Sequence, residues 1–223
     1  MALDSDLTTA QTVADELGVG VGELRLPRLI SAASEAIRRY LNRPRVHYSA
    51  AFVEVVTPHL ATPRLVLGLC PVGAIASVVL ADGTVVTASD YSVEDSDAGF
   101  LYRSTGWTWS GLLRAGLLYA DPAVGTEKPA ITVTYAGGWV TPVQAVSAGW
   151  VGPARSLPYD LEEACVQTVV SLYRKGGADQ TIASEALGDY SVSYRTPNIG
   201  VGAGGIMPDS VLAILDSYRR PLG

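Results

Sequence analysis

Residues 156–177, SLPYDLEEACVQTVVSLYRKGG, read as one helix with both ends marked in the sequence. Ser156 stands where a cap belongs, and Pro158 falls in the first turn, where a missing N–H costs nothing. Asp160, Glu162 and Glu163 favour the positive end of the helix dipole, and Arg174 and Lys175 the negative end. Gly176 and Gly177 supply the stop. Leu161, Cys165, Val169 and Leu172 recur at helical spacing and predict the buried stripe.

Upstream of this helix the period is different. AFVEVVTP, PRLVLGL, GAIASVVLADGTVV, DYSVED, GFLYR and AITVTYAGGW are short β-branched or aromatic runs divided by turn residues. Asp82–Gly83 between two apolar runs is the strongest hairpin signal, and Pro122, Gly125 and Pro129 mark a loop. Further upstream the chain is helical again. LPRLISAASEAIRRYLNRP places Leu26, Leu29, Ile30, Ala33, Ile37, Tyr40 and Leu41 at helical spacing, with Pro27 in the first turn and Pro44 after the end. LTTAQTVADELG predicts a short helix, with Thr8 and Gln11 as a capping box and Gly18 as the stop. Downstream, GDYSVSY alternates Tyr190, Val192 and Tyr194 as a strand does. PDSVLAILDSYRRP then predicts a last helix with Val211, Ile214, Leu215 and Tyr218 on one side.

The order predicts an α+β protein: helices at both ends, interrupted by a β-rich insertion that is either an antiparallel sheet or a small barrel. The expected parts are 1–47, helical; 48–145, the β-rich insertion; and 146–223, helical, with a glycine-rich tether and terminal helix over 197–223. At 223 residues the chain can bury a sizeable core. A net charge of −6 argues against a nucleic-acid or acidic-membrane binder, which needs a basic footprint. Cys70 and Cys165 lie far apart with no C-x-x-C spacing, so they read as two buried thiols in a reducing compartment. The N-terminus MALDSDLTTAQ has early acids and no basic segment, so it does not read as a secretory signal and predicts a protein made in the cytoplasm. The longest charge-free stretch, residues 65–81, is shorter than the ~20 residues of a membrane span, and Gly68, Pro71 and Gly73 interrupt it. Two buried strands explain it better, and no membrane partner is expected.

The candidate chemistry is thin. Gly200, Gly202 and Gly205 in GVGAGGI match G-x-G-x-x-G, but a dinucleotide site needs a following helix, a second strand and an acid on it. The residues after Gly205 hold one helix and no strand, so Gly200, Gly202, Gly204 and Gly205 read as a tether. No phosphate loop and no nucleophile elbow is present; WTWSG lacks the first glycine. His47 and His59 are the only imidazoles, and neither has a partner that sequence can name. Asp90, Glu94, Asp95 and Asp97 lack calcium-loop spacing and read as a solvated loop. Trp107 and Trp109 either pack a sheet face or, with Tyr102, form a platform for a sugar or peptide. No cofactor, metal or catalytic residue is predicted.

Three stretches carry a resemblance. LPYDLEEACVQTVVSLYRKGG, EALGDYSVSY and a short terminal helix ending YRRP resemble the head–tail connector (adaptor) proteins of long-tailed bacteriophages and prophages. LISAASEAIRRYLNRP is similar to the family's helix ending in Y-L-x-R, and DGTVVTASDYSVEDSDAGFLYR with ITVTYAGGW resembles the β insertion of its larger members. The resemblance implies a non-enzymatic virion protein at the head–tail junction, in a homo-oligomeric ring, typically twelve-fold. It would lie beneath the portal protein, extend the DNA channel without reading sequence, and meet a tail-side completion or terminator protein. It also implies a portal contact through the C-terminal segment, here Val211, Ile214, Leu215, Tyr218, Arg219 and Arg220, carried on the glycine tether. The residues alone leave a second possibility open, in which that helix packs on its own chain.

Overall fold

ITVTYAG, the most regular alternation in the chain, forms the centre of a sheet. The computed structural model describes residues 3–58, 62–107, 130–175, 184–187, 190–193 and 207–219. The chain divides into two compact units, residues 44–139 and residues 1–43 with 140–223. The fold is α+β, with a β-rich insertion between helical segments.

In the β unit, β1 (Ser49–Val56), β2 (Arg64–Val66), β3 (Val72–Val79), β4 (Ser92–Asp95), β5 (Phe100–Tyr102) and β6 (Ile131–Gly137) build two three-stranded antiparallel sheets. Their orders are β1-β6-β3 and β2-β5-β4. Central β6 buries Ile131, Val133 and Tyr135 on one face and leaves Thr132 and Thr134 half-buried on the other, the period of two that a pleated strand imposes. Leu65 of β2 pairs with Leu101 of β5, and both join a core with Leu67, Leu69, Val78 and Trp107. Each such side chain contributes about 1.5–3 kcal/mol of gross burial. The Asp82–Gly83 turn forms as expected. Gly83 sits at φ 83°, the Leu80 N–H donates to Thr84 O, and the Thr84 N–H donates to the Asp82 carboxylate.

The helical unit holds α1 (Ala10–Leu17), α2 (Leu26–Tyr40), α3 (Pro142–Val146), α4 (Tyr159–Lys175) and α5 (Asp209–Asp216). Strands β7 (Ser184–Leu187) and β8 (Tyr190–Ser193) pair antiparallel. The stripes of α2 and α4 supply its core: Leu26, Ile30, Ala33 and Ile37 from one, and Leu161, Cys165 and Val169 from the other, with Leu172 half-buried. Polar links tie the N-terminal segment to both helices. The Leu7 N–H donates to Ser34 Oγ at 3.0 Å, Ser31 Oγ to buried Asp6 at 2.9 Å, and Thr8 Oγ1 to Glu162 at 3.2 Å.

Three local expectations are corrected. The cap of α1 is Thr9, whose side chain accepts the Thr12 N–H; Thr8, the expected cap, is buried and spent on Glu162. Ser156 does not cap α4, because its hydroxyl accepts the Val140 N–H at 2.9 Å. The stretch TPVQ, placed within the β-rich insertion by its expected bounds, forms α3 with a complete Thr141–Gln144 capping box. The Gly18 stop holds, at φ 67° with its N–H on the Ala14 and Asp15 carbonyls. The loop marked by Pro122, Gly125 and Pro129, the stop at Gly176 and Gly177, and Tyr194 lie outside the described residues.

Candidate assembly surface

Helix α5 packs against α4. Val211 and Leu215 are fully buried within their own unit, Met207 nearly so, and Ile214 half-buried. Polar contacts fasten the helix end. Tyr218 OH donates to the Asp160 carboxylate at 2.7 and 2.9 Å, Tyr40 OH to Asp216 at 2.6 Å, and Arg43 Nη2 to Tyr218 O at 3.3 Å. The Arg219 guanidinium lies 5.2 Å from the centroid of the Tyr40 ring. Partial burial, then the bond to Asp160, pushes the Tyr218 phenol up to about 12. The bond to Asp216 raises that of Tyr40.

Of the described residues expected at a portal contact, Val211 and Leu215 are therefore spent on the protein's own core, Ile214 and Tyr218 are half-buried, and Arg219 is exposed. The structure takes the second possibility that the sequence left open, a terminal helix packed on its own chain. Arg220 and the glycines 200, 202, 204 and 205 lie outside the described residues.

Several of the other candidates are held in structural contacts. Trp107 is buried and its indole N–H donates to Leu101 O at 3.1 Å, so its face is closed to a sugar. Trp109 and His59 lie outside the described residues, and His47 is half-buried beside Trp139. Of the acid group, Glu94 pairs with Arg64 and Asp95 accepts the Ala98 N–H. Among the described residues no three His, Cys, Asp or Glu side chains form a metal site, and no helix is long and apolar enough to cross a membrane. Both thiols are buried and unbridged, and burial pushes Cys165 up to about 12.

Sequence reasoning missed a surface feature between α3 and α4. Val146, Val151 and Tyr159 are exposed there, and the loop that carries them is internally bonded. Ser147 Oγ donates to Val143 O, the Trp150 N–H to Ser147 O, and the Trp150 indole N–H to Pro153 O at 2.9 Å. The Arg155 guanidinium lies 3.9 Å over the Tyr159 ring and pairs with Glu162. The signal was the unremarked run WVGP, in which a bulky apolar pair sits between glycines.

No protein-family model and no curated protein matches the sequence. Among solved structures the fold is similar, over 100% of this chain and 94% of the other, to chains in three gene transfer agent (GTA) particle structures. These are the neck of an empty GTA particle determined with C6 symmetry (TM-score 0.53), the virion of a native GTA particle (0.52) and the neck of a native GTA particle determined with C12 symmetry (0.51). Each is 18% identical to this chain, a likeness of fold.

Proposed function

We propose that this chain is a structural subunit of a phage-like neck. It forms the adaptor ring, of twelve copies, between the portal and a tail-side completion or terminator protein, at the head–tail junction of a virion assembled in a host cytoplasm. The observation that carries this reading is the likeness of fold along the whole chain, both units included, to chains of GTA necks. Net acidity supports a channel wall along which DNA slides without adhering, since like charges repel phosphate. A non-enzymatic role is supported by two buried thiols, one held far from its thiolate form, and by the engagement of Glu94 in an ion pair and of Asp95 in a turn hydrogen bond. In this reading the portal meets the outward side of the docked C-terminal helix, with Arg219, just beyond its end, as an exposed cation.

The test is the mass of the purified chain, alone and mixed with its portal, by light scattering after size exclusion. A ring that co-elutes with the portal is expected. A chain that stays monomeric and ignores the portal overturns the reading. The competing sugar- or peptide-binding reading has lost Trp107, the residue it most needed.

A further inference from the structure

The helical unit carries two exposed apolar patches at opposite ends of α4. At its start stand Val146, Val151 and Tyr159, 75%, 98% and 79% exposed. Beside its end stand Val21 and Leu24, 54% and 92% exposed. Leu24 is placed there because α2 runs against α4: the neighbouring Arg25 guanidinium lies 5.0 Å over the ring of Tyr173. A 17-residue helix separates the two patches by about 25 Å. They are distinct surfaces.

Their charges are opposite. Arg25 and Arg28 follow Leu24 in the chain, and Arg174 and Lys175 follow Tyr173, the ring under Arg25; none of the four is in a described ion pair, and Glu23 is turned onto the Arg25 N–H. At the start of α4 lie the exposed carboxylates of Asp160, which also accepts the Tyr218 hydroxyl, and Glu163, which also accepts the Gln167 amide. The nearby cations are engaged: Arg155 with Glu162 and Tyr159, and Arg219 on the Tyr40 ring. The loop that presents Val151 is built to hold its shape. A Cβ at Gly152 would stand 2.2 Å from the Trp150 ring, so glycine is what lets the ring lie against the backbone. Internal bonds of this kind lower the ordering cost of binding.

Resting on the ring reading above, we infer that the occupant of each patch is a second copy of this chain, joined head to tail. The Val146–Val151–Tyr159 knob of one copy seats on Val21 and Leu24 of the next, and Asp160 and Glu163 face the Arg25, Arg28, Arg174 and Lys175 cluster. A contact between two different surfaces repeats in one direction, and it closes into a ring when the rotation between copies allows. It covers both patches on every copy. A foreign partner would cover one.

The test uses the full chain with Val151→Asp and Leu24→Asp, positions so exposed that the thermal midpoint should not move. Each variant alone should lose the ring, with self-association weakened roughly thirtyfold or more, as for a lost hot-spot anchor. Mixed together, the two variants should stop at a heterodimer. The Leu24→Asp copy keeps its knob, the Val151→Asp copy keeps its apolar seat, and the next contact in either direction is broken. Rings formed by either variant alone, as readily as by the wild type, would overturn this contact and leave the ring reading standing on another surface. A wild type that stays monomeric at its highest soluble concentration, both alone and with the portal, would overturn both.

Discussion

Tyr135 shows how much a single side chain of the β unit organises. Its hydroxyl donates to Glu54 at 2.6 Å and accepts the Leu69 N–H at 2.9 Å, while the Glu54 carboxylate also accepts the Gly68 N–H. Burial, then the bond to Glu54, holds the phenol above its ordinary range. Tyr135→Phe removes an acceptor and strands a buried N–H, and should cost about 1–3 kcal/mol in urea unfolding. A loss below ~0.5 kcal/mol would mean that water replaces the hydroxyl. At this scale the sequence named residue types well and partners poorly. ITVTY announces a buried Tyr135, but nothing near it in sequence announces Glu54, 81 positions away. Thr8 and Ser156 fail for the same reason. Each has a hydroxyl suited to a cap, and each hydroxyl was taken by a group that only the fold brings near.

Among the elements, α5 departs furthest from its sequence reading. Eight residues are too few for an independent helix in water, so α5 needs a surface, and it finds one in its own unit. Leu215→Ala should therefore destabilise the folded chain by about 2–5 kcal/mol, measured as a fall in urea midpoint at unchanged slope. A change confined to partner binding would contradict the packing. The tyrosines that fasten the helix give it a pH limit. Tyr218 and Tyr40 have phenols raised above the ordinary value of 10.0, so their bonds to Asp160 and Asp216 stabilise docking fully below that pH. The stabilisation is lost as pH rises toward about 12, the Tyr218 value. Helical circular dichroism followed together with tyrosinate absorbance should show α5 loosening in that window, and Tyr40→Phe with Tyr218→Phe should remove the coupling. The amphipathic pattern of α5 was legible in Val211, Ile214, Leu215 and Tyr218. Which surface would cover it was not, because a stripe states only that it must be covered.

For the whole molecule, docked α5 changes how portal binding has to be tested. Cutting the chain after Thr196 removes Val211 and Leu215 from a core that holds them fully buried. The truncated protein should melt below the full chain, and loss of portal binding in it would report unfolding as readily as a lost contact. Arg219→Glu on the intact chain separates the two: it removes the contact with the Tyr40 ring, so a small fall in thermal midpoint, well short of the truncation's, is expected together with weakened co-elution. The sequence by itself determined the α+β class, with a β-rich insertion between helices, because periods of 3.6 and 2 are local properties of the backbone. Tertiary structure alone decided that two three-stranded sheets form in the insertion, that the C-terminal helix is covered by its own chain, and that Leu24 and Val151 end up bare at opposite ends of one helix. Burial and partnership are set by residues far apart in the chain, and their pairing is fixed only once the competing surfaces have met.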